Sequence, residues 1–144
     1  MSTSFASHSN LNKCFVEGSD EIPESYDTRE AHKDCKLPIM DQNKKCAGSY
    51  ATASASTLAE KLCIESDENK LIPLSAQELL SCDTANKGCR GGYVNNALEY
   101  IVMRGLSTEE CLPYKGTFDA KCSDMCADPM KESKIGRASC RERV

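Results

Sequence analysis

Residues 42–64 read QNKKCAGSYATASASTLAEKLCI, a short cysteine-marked loop that runs without a break into an alanine-rich segment. From Ser49 to Ile64 small and apolar residues such as Tyr50, Ala53, Leu58 and Leu62 cover most of a helical surface. That pattern predicts a central helix buried on most sides, with small residues letting neighbouring chains approach closely. Two further helices are expected. In PLSAQELLSC, Ser75 followed three residues later by Glu78 forms a capping box, predicting a short helix that ends near Cys82. In YVNNALEYIVMRG, Val94, Ala97, Leu98, Ile101 and Val102 make one stripe, and Gly105 suits a left-handed C-terminal position. No long alternating stretch signals a sheet, and there is no internal repeat. Residues 1–21 are polar and aperiodic, and read as a linker or the remnant of a removed segment.

The chain has 144 residues and a formal charge of -4, with no block of basic residues. Neither nucleic acid nor an anionic membrane surface is therefore expected as a partner. The longest apolar runs are pieces such as YIVM and LIPL, far below the ~20 residues of a membrane span. The N-terminal MSTSFASHSNLNK has no basic leader and no apolar core, so no signal peptide is visible and the start is expected to be missing. The 10 cysteines point the other way, toward an oxidising compartment, because so dense a set usually serves as disulfides. Zinc is the competing use, but there is no tight CxxC pair, and His8 and His32 lie far from the cysteine clusters. No metal and no cofactor is expected. Eight cysteines alone allow about 105 pairings, so spacing does not decide among them.

IPESYDTRE, DQNKKCAGSYA, LSAQELLSC and GCRGGYVNNALEYI, in this order and followed by CLPY and KCSDMC, resemble the first half of a papain-family cysteine peptidase. The likeness is closest to the cathepsin B-like branch and runs over roughly residues 22–134. It implies an α+β fold, the papain-like two-lobed architecture, of which this chain covers mainly the helical N-terminal lobe. Residues 135–144, IGRASCRERV, depart from the family and read as a non-native tail, the alternative being a divergent basic tail. The resemblance also implies the pairing Cys35 with Cys63, Cys46 with Cys89, Cys82 with Cys122 and Cys111 with Cys126, leaving Cys14 and Cys140. The Cys46 to Cys89 bridge would tie two loops across a cleft and close roughly 44 residues, worth ~4 kcal/mol on the chain-entropy model.

The family's nucleophile is a cysteine at the N-terminus of the central helix, kept as thiolate by the helix dipole and a histidine. Its signature, C-G-[SA]-C-[WY], corresponds here to Cys46, Ala47, Gly48, Ser49 and Tyr50, so serine holds the nucleophile position. A serine hydroxyl stays protonated until it attacks, and the thiolate mechanism is not inherited. The plain alternative for Ser49 is a helix N-cap. Gln42 matches the glutamine that helps form the oxyanion hole, with one residue more than usual between it and position 49, and reads otherwise as an exposed loop residue. Gly91 and Gly92 match the loop on which a substrate backbone pairs, or else are plain turn glycines. The family's catalytic histidine and asparagine belong to its second half, and neither His8 nor His32 occupies a matching position. The chain is thus expected to be an impaired peptidase that keeps a peptide-binding cleft, lysosomal or extracellular, and a monomer when full length. The alternatives are a peptidase active in its full-length form and a non-catalytic disulfide-stabilised interaction module.

Overall fold

The computed structural model describes residues 24–66 and 68–118, together with Cys122 and Cys126. The chain divides into two compact units, Met1–Tyr26 with Ser139–Val144, and Asp27–Ala138. Every element below belongs to the second. The expected linker at 1–21, the expected tail at 135–144, and Cys14, Cys140 and His8 lie outside the described residues.

Helix α1 spans Thr28–Ala31, capped by the Asp27 carboxylate on the Arg29 amide, and a 3-10 turn at Lys33–Cys35 follows. Helix α2, Ser49–Glu65, is the longest among the described residues, and Ala51, Ala53, Ala55 and Ala59 give it strong intrinsic helicity. It ends at Ser66, whose amide and hydroxyl both donate to the Cys63 carbonyl. Helix α3 is Ala76–Cys82 and helix α4 is Val94–Arg104. Both pack on α2. Tyr50, Ala51, Ala55 and Ala59 of α2, Leu79 and Leu80 of α3, Ala97 and Ile101 of α4, with Leu74 and Leu106, form the core. Among the described residues the β component is one antiparallel bridge, Leu74 with Thr108, flanked by bonds from the Ser75 amide to Ser107 O and from the Glu109 amide to Pro73 O, both 2.8 Å. No helix among the described residues is long and apolar enough to cross a membrane.

The sulfurs join Cys35 to Cys63, Cys46 to Cys89, Cys82 to Cys122 and Cys111 to Cys126. Each bridge links segments that the helices alone leave independent, which matters in a unit with a small core.

Three local readings of the sequence differ from the structure. Helix α2 buries Tyr50, Ala51, Ser54, Ala55, Ala59 and Cys63, while Ser49, Ala53, Thr57 and Lys61, spaced by four, form an exposed stripe. Small residues at those positions gave no apolar period that could separate the two faces. In α4 only Ala97 and Ile101 of the expected stripe are buried, and Val94, Leu98 and Val102 are exposed. Gly105 takes the positive φ expected of it, 75°, but with ψ at -173° it is extended rather than left-handed helical.

The capping box is half formed. Ser75 Oγ accepts from the Glu78 amide at 3.1 Å, yet the Glu78 carboxylate does not return to the Ser75 amide, which bonds Ser107 O. Glu78, 1% exposed, instead accepts from Tyr100 Oη at 2.9 Å, from the Ser107 amide at 2.7 Å and from the Ser107 hydroxyl. A tertiary use of the carboxylate has overridden the local one.

Candidate functional site

Three loops meet at the start of α2. The first runs from Asp41 to Gly48. Asp41 Oδ1 accepts from the Asn43 amide at 2.9 Å, Asn43 Oδ1 accepts from the Lys45 amide at 3.1 Å, and Asn43 stands at φ 71°. These side-chain-to-backbone bonds build a tight turn of the kind asparagine supports. Gly48 is the N-cap of α2, and its carbonyl accepts from the Ala51 and Thr52 amides, both at 3.0 Å. Ser49 is therefore the first helical residue and not the cap, and its side chain makes no capping bond. Among the described residues neither its hydroxyl nor its amide has a hydrogen-bond partner.

The second loop is Asp83–Tyr93. Besides the Cys46–Cys89 bridge, the Ala47 amide donates to Cys89 O at 2.9 Å, so the loop leading to Ser49 and the loop carrying Gly91 and Gly92 are joined twice. Gly91 requires glycine because its φ is 100°, with its amide on Gly88 O and its carbonyl accepting from the Lys87 amide. Gly92 requires it for a different reason. A Cβ there would stand 2.5 Å from Asn86 Oδ1 and 2.9 Å from Asn86 Cβ. Asn86 cannot move aside freely, since Nδ2 donates to Asp83 Oδ2 at 2.6 Å and Oδ1 accepts from the Tyr93 amide at 2.7 Å. Gly92→Ala is accordingly expected to destabilise the unit by about 1–3 kcal/mol, from overpacking and the broken Tyr93 bond. A urea midpoint unchanged from the parent would contradict this.

The Gly92 amide and carbonyl have no hydrogen-bond partner among the described residues, and Gly92 is exposed. Gly91 and Gly92 line a depression of about 270 Å³. A slightly larger depression, about 310 Å³, lies at the other end of α2 against Leu62 and Ile72, away from all these residues.

The third segment is 114–116, and the sequence reading assigned it no role. Tyr114 Oη donates to the Gln42 carbonyl at 2.8 Å and occupies the space beside Gly48, where a Cβ would meet it at 2.9 Å. The Tyr114 amide is held by Glu109 Oε1 at 2.7 Å and the Lys115 amide by Gln77 Oε1 at 2.9 Å. Gly116, at φ 61°, packs against Asn43. One strap thus contacts both ends of the first loop. The only signal for it was CLPY, matched as a motif without a role; Asn86 and Gln77 had no distinctive signal at all.

Burial shapes the electrostatics. The Gln42 Oε1 atom is buried with no partner. Burial, reinforced by Asp83 and Tyr114, pushes the Tyr50 phenol up to about 12; the Gly88 backbone opposes this but falls short of hydrogen-bond geometry. Burial also raises the Glu109 carboxyl above the usual carboxylate range, partly offset by the Tyr114 amide.

A helix N-terminus at residue 49, disulfide-tied to a Gly-Gly loop, agrees with the expected N-terminal lobe of a papain-like cysteine protease. The profile of the papain family cysteine proteases matches residues 22–142. The chain belongs to that family, in its cathepsin B-like branch. It is 31% identical over 123 residues to cathepsin B-like CP2 of Giardia intestinalis, covering 83% of this chain and 41% of that protein. Among solved structures, procathepsin B S9 from Trypanosoma congolense superposes with a TM-score of 0.68 at 32% identity, covering 80% of this chain and 42% of that one. A Carica candamarcensis cysteine protease in complex with E-64 gives 0.64 at 30% identity, over 79% of this chain and 49% of that one. The fold is that of the helical N-terminal lobe, and the chain spans less than half the length of these relatives.

Proposed function

We propose that this chain is the N-terminal portion of a cathepsin B-like peptidase in which Ser49 in place of the nucleophilic cysteine impairs hydrolysis while a peptide-binding cleft is kept. The observation that carries the reading is Ser49 itself, a serine standing as the first residue of α2, where the family's motif has its cysteine nucleophile. A serine hydroxyl stays protonated until it attacks, so it does not supply the standing thiolate on which the family's mechanism depends. Gln42 and the Ser49 amide fill the positions of the oxyanion donors, and Gly91 with Gly92 those of the substrate-pairing edge. The ligand is a peptide or protein segment, and no cofactor is required. Dense disulfides favour a lysosomal or extracellular setting.

The free Ser49 amide supports a second reading, a peptidase active in its full-length form, because an amide donor aimed at a developing oxyanion is worth ~3 kcal/mol of transition-state stabilisation.

The test is turnover of a dipeptide-coumarin substrate at mildly acidic to neutral pH by this chain with Ser49 and with Ser49→Cys. Both are expected to stay at the uncatalysed background. The helix dipole alone is worth about 0.3–1 kcal/mol at an exposed terminus, less than one pKa unit, so the new thiol stays largely protonated. Nucleophile, base and oxyanion hole act as a unit, and sulfur restores one of them. Turnover by the Ser49 chain that survives thiol-blocking reagents would refute the impaired-enzyme reading.

A further inference from the structure

Strand pairing at Gly92 is blind to sequence, since it uses only backbone groups, and discrimination among peptides has to come from side chains beside that edge. Those lining the adjoining depression include Asn86, Lys87, Arg90 and Tyr93. Asn86 is committed to Asp83 and Tyr93, as described. Tyr93 is 76% exposed and offers an aromatic face. Lys87 and Arg90 are both exposed, and neither belongs to an ion pair among the described residues. Their backbones are fixed, because the Lys87 amide donates to Gly91 O at 3.1 Å and the Arg90 amide to Lys87 O at 3.1 Å. Two uncommitted cations are thus rooted in the same turn that sets the glycine edge. The Asp83 carboxylate in this loop is buried, accepting from the Ala85 amide at 3.0 Å and from Asn86 at 2.6 Å.

We propose that the glycine edge takes extended peptide segments bearing an acidic side chain, with Lys87 and Arg90 as the groups that select it. The inference rests on the peptide-binding reading above and adds the ligand's charge to it. The chain's formal charge of -4 does not oppose this selection appreciably. At physiological ionic strength charges are screened over about 8 Å, so the local pair outweighs the distributed excess.

The experiment is a fluorescence-anisotropy titration of this 144-residue chain with blocked, labelled alanine-based peptides carrying one Glu, Gln or Lys at each position in turn. At the best position the Glu peptide is expected to bind about three- to tenfold more tightly than its Gln counterpart at physiological ionic strength, from two exposed charge contacts. The Lys peptide is expected to bind most weakly, and the preference to shrink as salt rises. The double variant Lys87→Ala, Arg90→Ala should erase the Glu preference and leave the Gln peptide's Kd unchanged, with the near-UV spectrum intact. Equal binding of Glu and Gln peptides by the parent overturns this inference alone. A double variant that weakens both peptides alike, or keeps the preference, also overturns it. Binding of no peptide overturns the peptide-binding reading and this inference with it.

Discussion

Replacing Cys46 and Cys89 together by serine is expected to cost about 4 kcal/mol, a large share of the roughly 5–15 kcal/mol that holds a typical domain. The bridge spans a sequence separation of 43, against 15 for Cys111–Cys126, which the same chain-entropy reasoning puts at about 3 kcal/mol. Cys46 is also a core residue, packed with Tyr50 and Leu80, so the double variant exchanges buried sulfur for hydroxyls. Those hydroxyls need partners in a place that offers few. Urea unfolding of the double variant beside a Cys111→Ser, Cys126→Ser control should rank the two in that order. Reduction of all bridges should abolish the near-UV circular dichroism signal, and retention of that signal in dithiothreitol would contradict the argument.

Glu78→Ala is expected to cost about 3–5 kcal/mol, from buried donors left without an acceptor together with the cavity left by the side chain. Glu78 joins α3 to Tyr100 of α4 and to Ser107 in the segment that pairs with residues 73–75. Truncation leaves the Ser107 amide, buried at 3% exposure, without its acceptor, and adds a cavity. Glu78→Gln keeps the shape but turns one acceptor into a donor facing the Ser107 amide or the Tyr100 hydroxyl. Its cost is expected to fall between the parent and the alanine variant. Urea midpoints for both variants within experimental error of the parent would show that the carboxylate is not a joint of the fold.

Helix positions were legible where a local rule and a tertiary need coincided. Ser75 starts α3 as a capping residue should, and the glycine after Arg104 closes α4. The exposed stripe of α2 was hidden because alanine, serine and threonine do not separate an inner from an outer face. Glu78 looked like a local cap because sequence spacing cannot reveal a partner 29 residues away. The papain-family fold, by contrast, came from motifs in register, each weak by itself. At the site, Gln42, Ser49, Gly91 and Gly92 were named from those motifs, and their roles are proposals. Tyr114 and Asn86 went unnoticed for a physical reason. Each acts through one well-placed side chain on a backbone group, 72 residues away for Tyr114 and 7 for Asn86, and such a contact imposes no period on its neighbours.

The strap at 114–116 also sets an order of assembly. Gln42 waits for a hydroxyl 72 residues further along, while helices α2, α3 and α4 are specified by their own short segments. During synthesis from the N-terminus the helices, the Asp41–Gly48 turn and its ties to Cys89 are therefore all in place in the sequence before the Tyr114 clamp is made. The bond to the Gln42 carbonyl is the last of the described restraints on that turn to become available. A nascent chain halted before Tyr114 would carry the helices and the Cys89 ties but not the hydroxyl that clamps Gln42, so closure at that carbonyl reports that the helical unit has been made through its strap.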